Sequence, residues 1–213
     1  MTERLDLFST PILQATPADH ERLDAALLKN IAAERARSPG INRSNLGGWH
    51  SDTNMAQWGG PASQTLAEFA AATAGGHMSD IEPAGKRQFN WVIEMWANVN
   101  QPGDANQVHC HPGCFWSAVY YPDPGGAEID SGGGELILED PRYPLAYMGI
   151  SNLVLKDAKD QPMQSQVAIR PRAGLLVMFP SWLRHSVRPH RGNRERVSIA
   201  LNLSPVPEQP PRP

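Results

Sequence analysis

Three histidines stand where short extended segments would aim them at one point. His109-Cys110-His111 precedes an apolar stretch from Phe115 to Tyr121. Residues two apart on a strand share a face, so both imidazoles can converge on one ion at metal–nitrogen distances of about 2.0–2.2 Å. The third, His185, follows the run Gly174-Leu175-Leu176-Val177-Met178-Phe179 and the turn Pro180-Ser181-Trp182. A buried strand, a turn and a histidine opening the next strand would face that histidine back toward the pair. Unrelated core or surface histidines are the alternative, but this pattern is more specific than a lone His. His190 is the rival third ligand; its surroundings, Arg188-Pro189-His190-Arg191-Gly192-Asn193, read as a turn. His20, His50 and His77 fall in helix or loop, with His50, between Trp49 and Ser51, within reach of a pocket mouth.

Ligand type alone leaves the metal open, because three neutral imidazoles with open positions suit iron, zinc, copper or nickel. An iron oxygenase usually has two His and one carboxylate on one face of the metal, yet the residue two after His109 is His111. Asp104, Glu135 and Asp140 are the nearby carboxylates, and none has the local spacing of a ligand. Cys110 and Cys114 would form a zinc or redox site or, as preferred here, serve as reduced packing thiols in a cytosolic protein. Cys110 should point away from the metal, into packing.

The elements that must position these residues come in two halves. Leu5–Leu13 reads as a short strand. A helix capped by Thr16 or Asp19 should run to about Arg37, with Leu23, Ala26, Leu27 and Ile31 on its apolar face, and Ser38-Pro39-Gly40 ends it. Residues 41–60 look like a long ordered loop shaping an entrance, with Trp49 and Trp58 as contacts or as core. A second helix should span Pro61 to Ala74, stopped by Gly75-Gly76. From Arg87 to about Leu203 the pattern is strands broken by Gly, Pro and Asp turns. Without strand–helix alternation, the sheet should be antiparallel and the fold a barrel or sandwich. We expect one domain: a supporting strand, helices and loop over 1–86, a metal-binding core over 87–204 and a loose Pro-rich tail over 205–213.

Alternation also divides the two longest strands. In Asn90–Asn100, Trp91, Ile93, Met95, Ala97 and Val99 share one face, and Val92, Glu94, Trp96, Asn98 and Asn100 the other. In Arg194–Leu203, Val197, Ile199, Leu201 and Leu203 oppose Arg194, Arg196, Ser198, Ala200 and Asn202. Either these are half-exposed sheets, or they are barrel walls lined inside by polar groups. On such a wall Arg196 offers a fixed fork for a carboxylate. Burial without an anion would be costly, so a ligand or a protein acid such as Glu94 should meet it. Trp96, Asn98, Asn100 and Asn202 would line the same pocket.

Composition narrows the class. The 213 residues are 40% hydrophobic with six Trp, enough for a real core. Lys and Arg total 19 against 22 Asp and Glu, a net charge of −3 with no basic run, which argues against nucleic acid. No apolar run approaches the ~20 residues of a membrane helix, and the start, Met1-Thr2-Glu3-Arg4-Leu5, does not read as a signal peptide. A cytoplasmic location is expected.

With these residues identified, the β half resembles the iron(II)/2-oxoglutarate-dependent dioxygenases, most closely a bacterial and phage branch of 2OG-Fe(II) oxygenases related to the prolyl hydroxylases. The resemblance covers roughly residues 90–203, and the Ser44–Ser51 loop has the look of that branch. His109-Cys110-His111 stands at the family's His-x-carboxylate pair, Ser117-Ala118-Val119-Tyr120-Tyr121 resembles the strand whose Tyr contacts the cosubstrate, and Gly132-Gly133-Gly134-Glu135-Leu136-Ile137-Leu138 resembles the Gly-Gly-x-Leu strand. His185 followed by Arg196-Val197-Ser198 resembles the distal His and Arg-x-Ser pair. The resemblance implies a mainly β fold with N-terminal helices, a double-stranded β-helix (jelly-roll, cupin-like) barrel with the helices packed on one sheet. It implies Fe(II) on His109, His111 and His185. It also implies 2-oxoglutarate as cosubstrate, its far carboxylate on Arg196 with help from Ser198 and Tyr121; Asn98 and Asn202 would help orient cosubstrate or substrate. The activity implied is hydroxylation of a substrate that the sequence does not specify (protein side chain, peptide or metabolite), with release of succinate and CO2. His111 is the departure from the usual carboxylate.

Two other readings stand beside it. In a cupin-type metalloenzyme without 2-oxoglutarate, such as a thiol dioxygenase or isomerase, Gly103 ahead of His-x-His and Gly174, Pro180 and His185 would be the two motif halves. Phe115 and Trp116 stand where that motif expects Glu, and Arg196-x-Ser198 would have no role. The other is a non-enzymatic metal-binding protein. The N-terminal helices would cover one sheet or pair with a second chain, so a homodimer is left open.

Overall fold

A computed structural model describes residues 4–81, 89–127, 133–142 and 153–207. Along the chain its elements are β1 (Leu13–Ala15), α1 (His20–Arg37), β2 (Asn45–Leu46), β3 (Trp49–His50), α2 (Met55–Trp58) and α3 (Gly60–Gly75). Strands follow: β4 (Phe89–Asn100), β5 (Ala105–His109), β6 (Trp116–Asp123), β7 (Leu136–Glu139), β8 (Gln166–Ile169), β9 (Leu175–Pro180), β10 (His185–Val187) and β11 (Arg196–Pro207).

The two long strands with divided faces pair with each other. β4 and β11 run antiparallel from Arg196↔Asn100 to Pro207↔Phe89. Directly opposed residues share a face, so Met95, Ala97 and Val99 join Val197, Ile199, Leu201 and Leu203 on one side, all buried. That side takes the apolar stripes of the helices, Leu23, Leu27 and Ile31 of α1 with Leu66, Ala70 and Ala74 of α3. Each fully buried Leu or Ile there contributes about 1.5–3 kcal/mol.

Among the described residues the nine strand pairings are antiparallel and build two sheets, β1-β9-β6-β11-β4-β3 and β2-β5-β10-β7-β8. A second core lies between them, with Tyr121, Leu175, Val177 and Phe179 from the larger sheet against Leu136, Leu138 and Ile169 from the smaller. The antiparallel sheets are those expected from the strand pattern, and the whole is the mainly β jelly roll that the family resemblance implies, its helices on one sheet.

Three local expectations are corrected. Leu5–Ile12 is not strand; only Leu13–Ala15 pairs, with Leu176–Met178 of β9. Pro11 lacks the ladder's N–H, Phe8 has φ +61°, and Leu5, Leu7 and Phe8 are exposed. The segment 41–60 is more than loop: β2 joins the smaller sheet through β5, and β3 joins the larger through β4. Between them Gly47 (φ +75°) passes so near Asp104 that a Cβ would lie 2.0 Å from its Oδ1. The tail is strand through Pro207, because Val206 and Pro207 still oppose Asn90 and Phe89; its remainder, 208–213, lies outside the described residues.

On the helix side, the Tyr120 hydroxyl donates to Asp24 of α1 at 2.6 Å, and His20 Nδ1 lies 3.1 Å from the other Asp24 oxygen. Burial raises the Asp24 pKa, while the Tyr120 and His20 contacts act against the rise. Asp24→Ala would strand the buried hydroxyl, so it should lower the unfolding free energy by about 1–3 kcal/mol in urea titrations, and adding Tyr120→Phe should recover part of the loss.

Candidate metal centre between the sheets

His109 closes β5 and His185 opens β10, and the two oppose each other in register. His111 lies just past β5, where its backbone N–H donates to the Ser181 carbonyl at 2.9 Å. The turn that delivers His185 therefore also anchors His111. The ring centroids are 4.3 Å (His109–His185), 5.0 Å (His109–His111) and 5.2 Å (His111–His185) apart. One ring nitrogen from each lies within 4.8 Å of the other two. Phe179 packs edge-on against His185 at 4.7 Å, and Trp96 lies 5.8 Å from His111 with His50 stacked on its far side at 5.7 Å.

Hydrogen bonds set the tautomers. A carbonyl only accepts, so His109 Nδ1–H donates to Gln107 O (2.7 Å) and His185 Nδ1–H donates to Leu183 O (2.9 Å). Each ring therefore keeps Nε2 unprotonated, that of His109 lying 3.5 Å from the Ser44 hydroxyl. Burial pushes the His185 pKa down to about 3, with His109 and His111 adding to the fall. It pushes His111 down to about 4, with a smaller contribution from His109, and lowers His109 as well. Three neutral imidazoles make a donor set suited to a divalent transition metal.

Among the described residues no acid or thiol joins this cluster. Asp104 caps a turn by accepting Gln101 N–H at 2.6 Å, Asp140 pairs with Arg142, and Glu135 lies outside the group. His190 is buried in its turn, donating from Nε2 to Arg194 O at 2.7 Å. Cys110 is exposed, which corrects the expectation that it packs inward, and Cys114 is partly buried.

From Trp96 to Asn100 and from Arg196 to Asn202 the polar faces turn inward, the barrel-wall alternative, whereas Val92, Glu94 and Arg194, expected on the same faces, are exposed. Trp96, Asn98, Ser198 and Asn202 line one cavity with His109, His111, His185 and Arg196. Arg196 is 1% exposed, and its Nη1 donates to Asn100 Oδ1 and Ser198 Oγ, each at 3.2 Å. Its Nε and Nη2 and the buried Tyr121 hydroxyl make no hydrogen bond of good geometry, although the hydroxyl lies close enough to the guanidinium to favour its charge. The guanidinium carbon lies 5.1 Å from the Tyr121 ring centroid. Burial lowers the Arg196 pKa and raises that of Tyr121. Glu94 does not meet Arg196: it opposes Asn202, farther along the ladder, and is exposed.

On the other side of the histidines is a chamber of about 420 Å³, lined by Arg43, Ser44, His50, Thr53, Glu94 and Trp96 with His109, His111 and Asn202. Arg43, Ser44 and Thr53 come from the irregular crossing between sheets, where no periodicity marks a wall. Trp49 and Trp58 are not contacts of this chamber; both pack on the helix-side core.

Residues 94–202 match the protein family described as "Putative 2OG-Fe(II) oxygenase". No curated protein matches the sequence. Solved structures share the fold. A Pseudomonas putida prolyl-4-hydroxylase is 18% identical with TM-score 0.57, covering 92% of this chain and 93% of that one. A Trichoplax adhaerens prolyl hydroxylase, in complex with a hypoxia inducible factor peptide fragment, is 15% identical with TM-score 0.61, covering 91% and 83%. HygX from Streptomyces hygroscopicus, with nickel and 2-oxoglutarate bound, is 12% identical with TM-score 0.58, covering 92% and 83%.

Neutral burial of the histidines has a measurable consequence. His185 is held near pKa 3, against 6.5 unfolded. As pH falls through 6.5 the unfolded chain takes up a proton that the folded chain refuses, so stability is full above about pH 7 and declines toward acid. From pH 7 to 5 the metal-free protein should lose on the order of 2 kcal/mol through His185 alone. Urea unfolding at both pH values should show a smaller loss in His185→Gln than in the parent.

Proposed function

Because this chain belongs to the 2OG-Fe(II) oxygenase family, we propose that it hydroxylates a substrate held in the outer chamber, with iron(II) on His109, His111 and His185 and the far carboxylate of 2-oxoglutarate on Arg196. Members of the family use iron(II) and 2-oxoglutarate. When bound, the metal and cosubstrate supply an O2-dependent oxidation that consumes 2-oxoglutarate to succinate and CO2 while the substrate gains a hydroxyl.

The observation that carries this reading is Arg196. A buried guanidinium with two idle nitrogens is costly unless an anion completes it. It lies in the same cavity as the three imidazoles, so a short diacid could reach both. Ser198 and Asn100 fix the angle of the fork by holding Nη1. The Tyr121 hydroxyl is a further idle donor beside it. A cupin-type enzyme without 2-oxoglutarate would have no use for this arrangement.

The chain's own residues divide the remaining work. Gln107 and Leu183 carbonyls keep Nε2 of His109 and His185 unprotonated. Phe179, Leu136 and Val119 wall the inner cavity with apolar surface, which excludes water and strengthens the electrostatic grip on an acid. The outer chamber has room for a side chain or a small metabolite.

Succinate release and 2-oxoglutarate dependence test the reading directly. His185→Ala should abolish iron binding and succinate formation. Arg196→Met, an apolar replacement that a buried site tolerates, should raise the 2-oxoglutarate requirement about 10–100-fold while iron affinity stays within about threefold of the parent. Arg196→Met with an unchanged 2-oxoglutarate requirement would contradict the assignment.

A further inference from the structure

His111 is the imidazole whose orienting bond is not a backbone carbonyl. Its Nδ1 lies 3.3 Å from the side-chain nitrogen of Asn202, and Asn202 Oδ1 accepts the Ser117 hydroxyl at 2.9 Å. With the amide nitrogen donating to Nδ1, the ring's one proton would sit on Nε2 and a metal could not use that atom. The oxygen and nitrogen of a carboxamide have nearly the same shape and exchange places by a half-turn about the last side-chain bond. After that half-turn the same contacts hold with roles reversed: Oδ1 accepts from His111 Nδ1–H, and Nδ2 donates to Ser117 Oγ, which serves as donor or acceptor equally well.

We propose that Asn202 is the positioning residue for His111: its amide oxygen holds the Nδ1–H tautomer, as the Gln107 and Leu183 carbonyls do for His109 and His185, so that all three Nε2 atoms face one metal. This rests on the reading of His111 as a ligand. It moves Asn202 from the cosubstrate or substrate contacts implied by the family resemblance to the support of the metal, because both ends of its amide are engaged by Ser117 and His111. Asn98, on the same wall, stays available to cosubstrate or substrate.

The geometry gives Asn202 little freedom to do otherwise. It is 6% exposed and held in the middle of β11 between Glu94 of β4 and Ser117 of β6. Trp96 limits the tilt of the His111 ring from the side. His109 and His185 each bond the carbonyl two residues back on their own segment, whereas at His111 a side chain from the opposite sheet takes that place. Partners of this kind, which orient a ligand without touching the metal, typically change metal affinity 10–100-fold when removed.

The test loads the full chain with Co(II) as a spectroscopic stand-in and counts the solvent-exchangeable, paramagnetically shifted imidazole N–H resonances. The parent should show one for each of the three histidines. Asn202→Leu, similar in volume and unable to hydrogen-bond, should lose the His111 signal to fast exchange and bind Co(II) and Fe(II) at least tenfold more weakly. Asn202→Asp, which can only accept, should keep the signal and bind within about threefold of the parent. Asn202→Leu with parental affinity, or a parent protein whose His111 gives no protected Nδ1–H, would overturn the assignment while leaving the metal site intact. A parent protein that binds no divalent metal would overturn the metal reading and this assignment together.

Discussion

The long antiparallel ladder between β4 and β11 imposes a constraint that everything else obeys. Twelve residues on each strand oppose one another without a slip. A one-residue shift of either strand would send Arg196, Ser198 and Asn202 toward α1 and α3 and turn Ile199 and Leu201 into the cavity. Helix packing through Leu23, Leu27 and Leu66 thus does more than stabilise the sheet. It locks the register, and the register decides that the polar row faces inward. The pairing of His109 with His185 across β5 and β10 then faces this row from the other sheet.

A polar cavity between two sheets is expensive, and the chain holds down the cost in two ways. The imidazoles are kept neutral, so no charge is desolvated at the metal end. At the Arg196 end a charge is buried, and among the described residues the protein supplies two neutral acceptors and the ring and hydroxyl of Tyr121, but no carboxylate ion pair. The deficit points to a ligand. A chain that needed Arg196 only for structure would place a carboxylate beside it, as Asp123 stands beside Arg194 on the surface. The neutral His111 in place of a carboxylate fits the same economy: one fewer buried anion leaves a bound acid the main counter-charge in the site.

Much of this is legible in the sequence. Period-two alternation marks both faces of the ladder, and the strand–turn–His pattern points to His185, whose ring lies with those of His109 and His111, rather than to His190. What alternation could not show is what a side chain does once it faces inward: Asn98 and Asn202 have the same parity, but only Asn202 sits where His111 needs a partner. Alternation also allowed a Glu94–Arg196 pair, since both face the cavity. Register places them at different ends of it. The crossing through Gly47 and Gly48 read as loop because strands of two residues carry no period, and Arg43, Ser44 and Thr53 went unnoticed for the same reason. Cys110 was misplaced by extending a strand past His109, where β5 in fact stops.

The central claim is that the three imidazoles and the buried guanidinium belong to one site spanned by one small acid. Anaerobic titration of the iron(II)-loaded protein with 2-oxoglutarate reads this directly through the visible charge-transfer band of a 2-oxo acid chelated to iron. The band should grow to saturation at one 2-oxoglutarate per iron, and pyruvate, which has the chelating end but no far carboxylate, should need a much higher concentration to produce it. Equal requirements for the two acids, or no band at saturating 2-oxoglutarate, would contradict the claim.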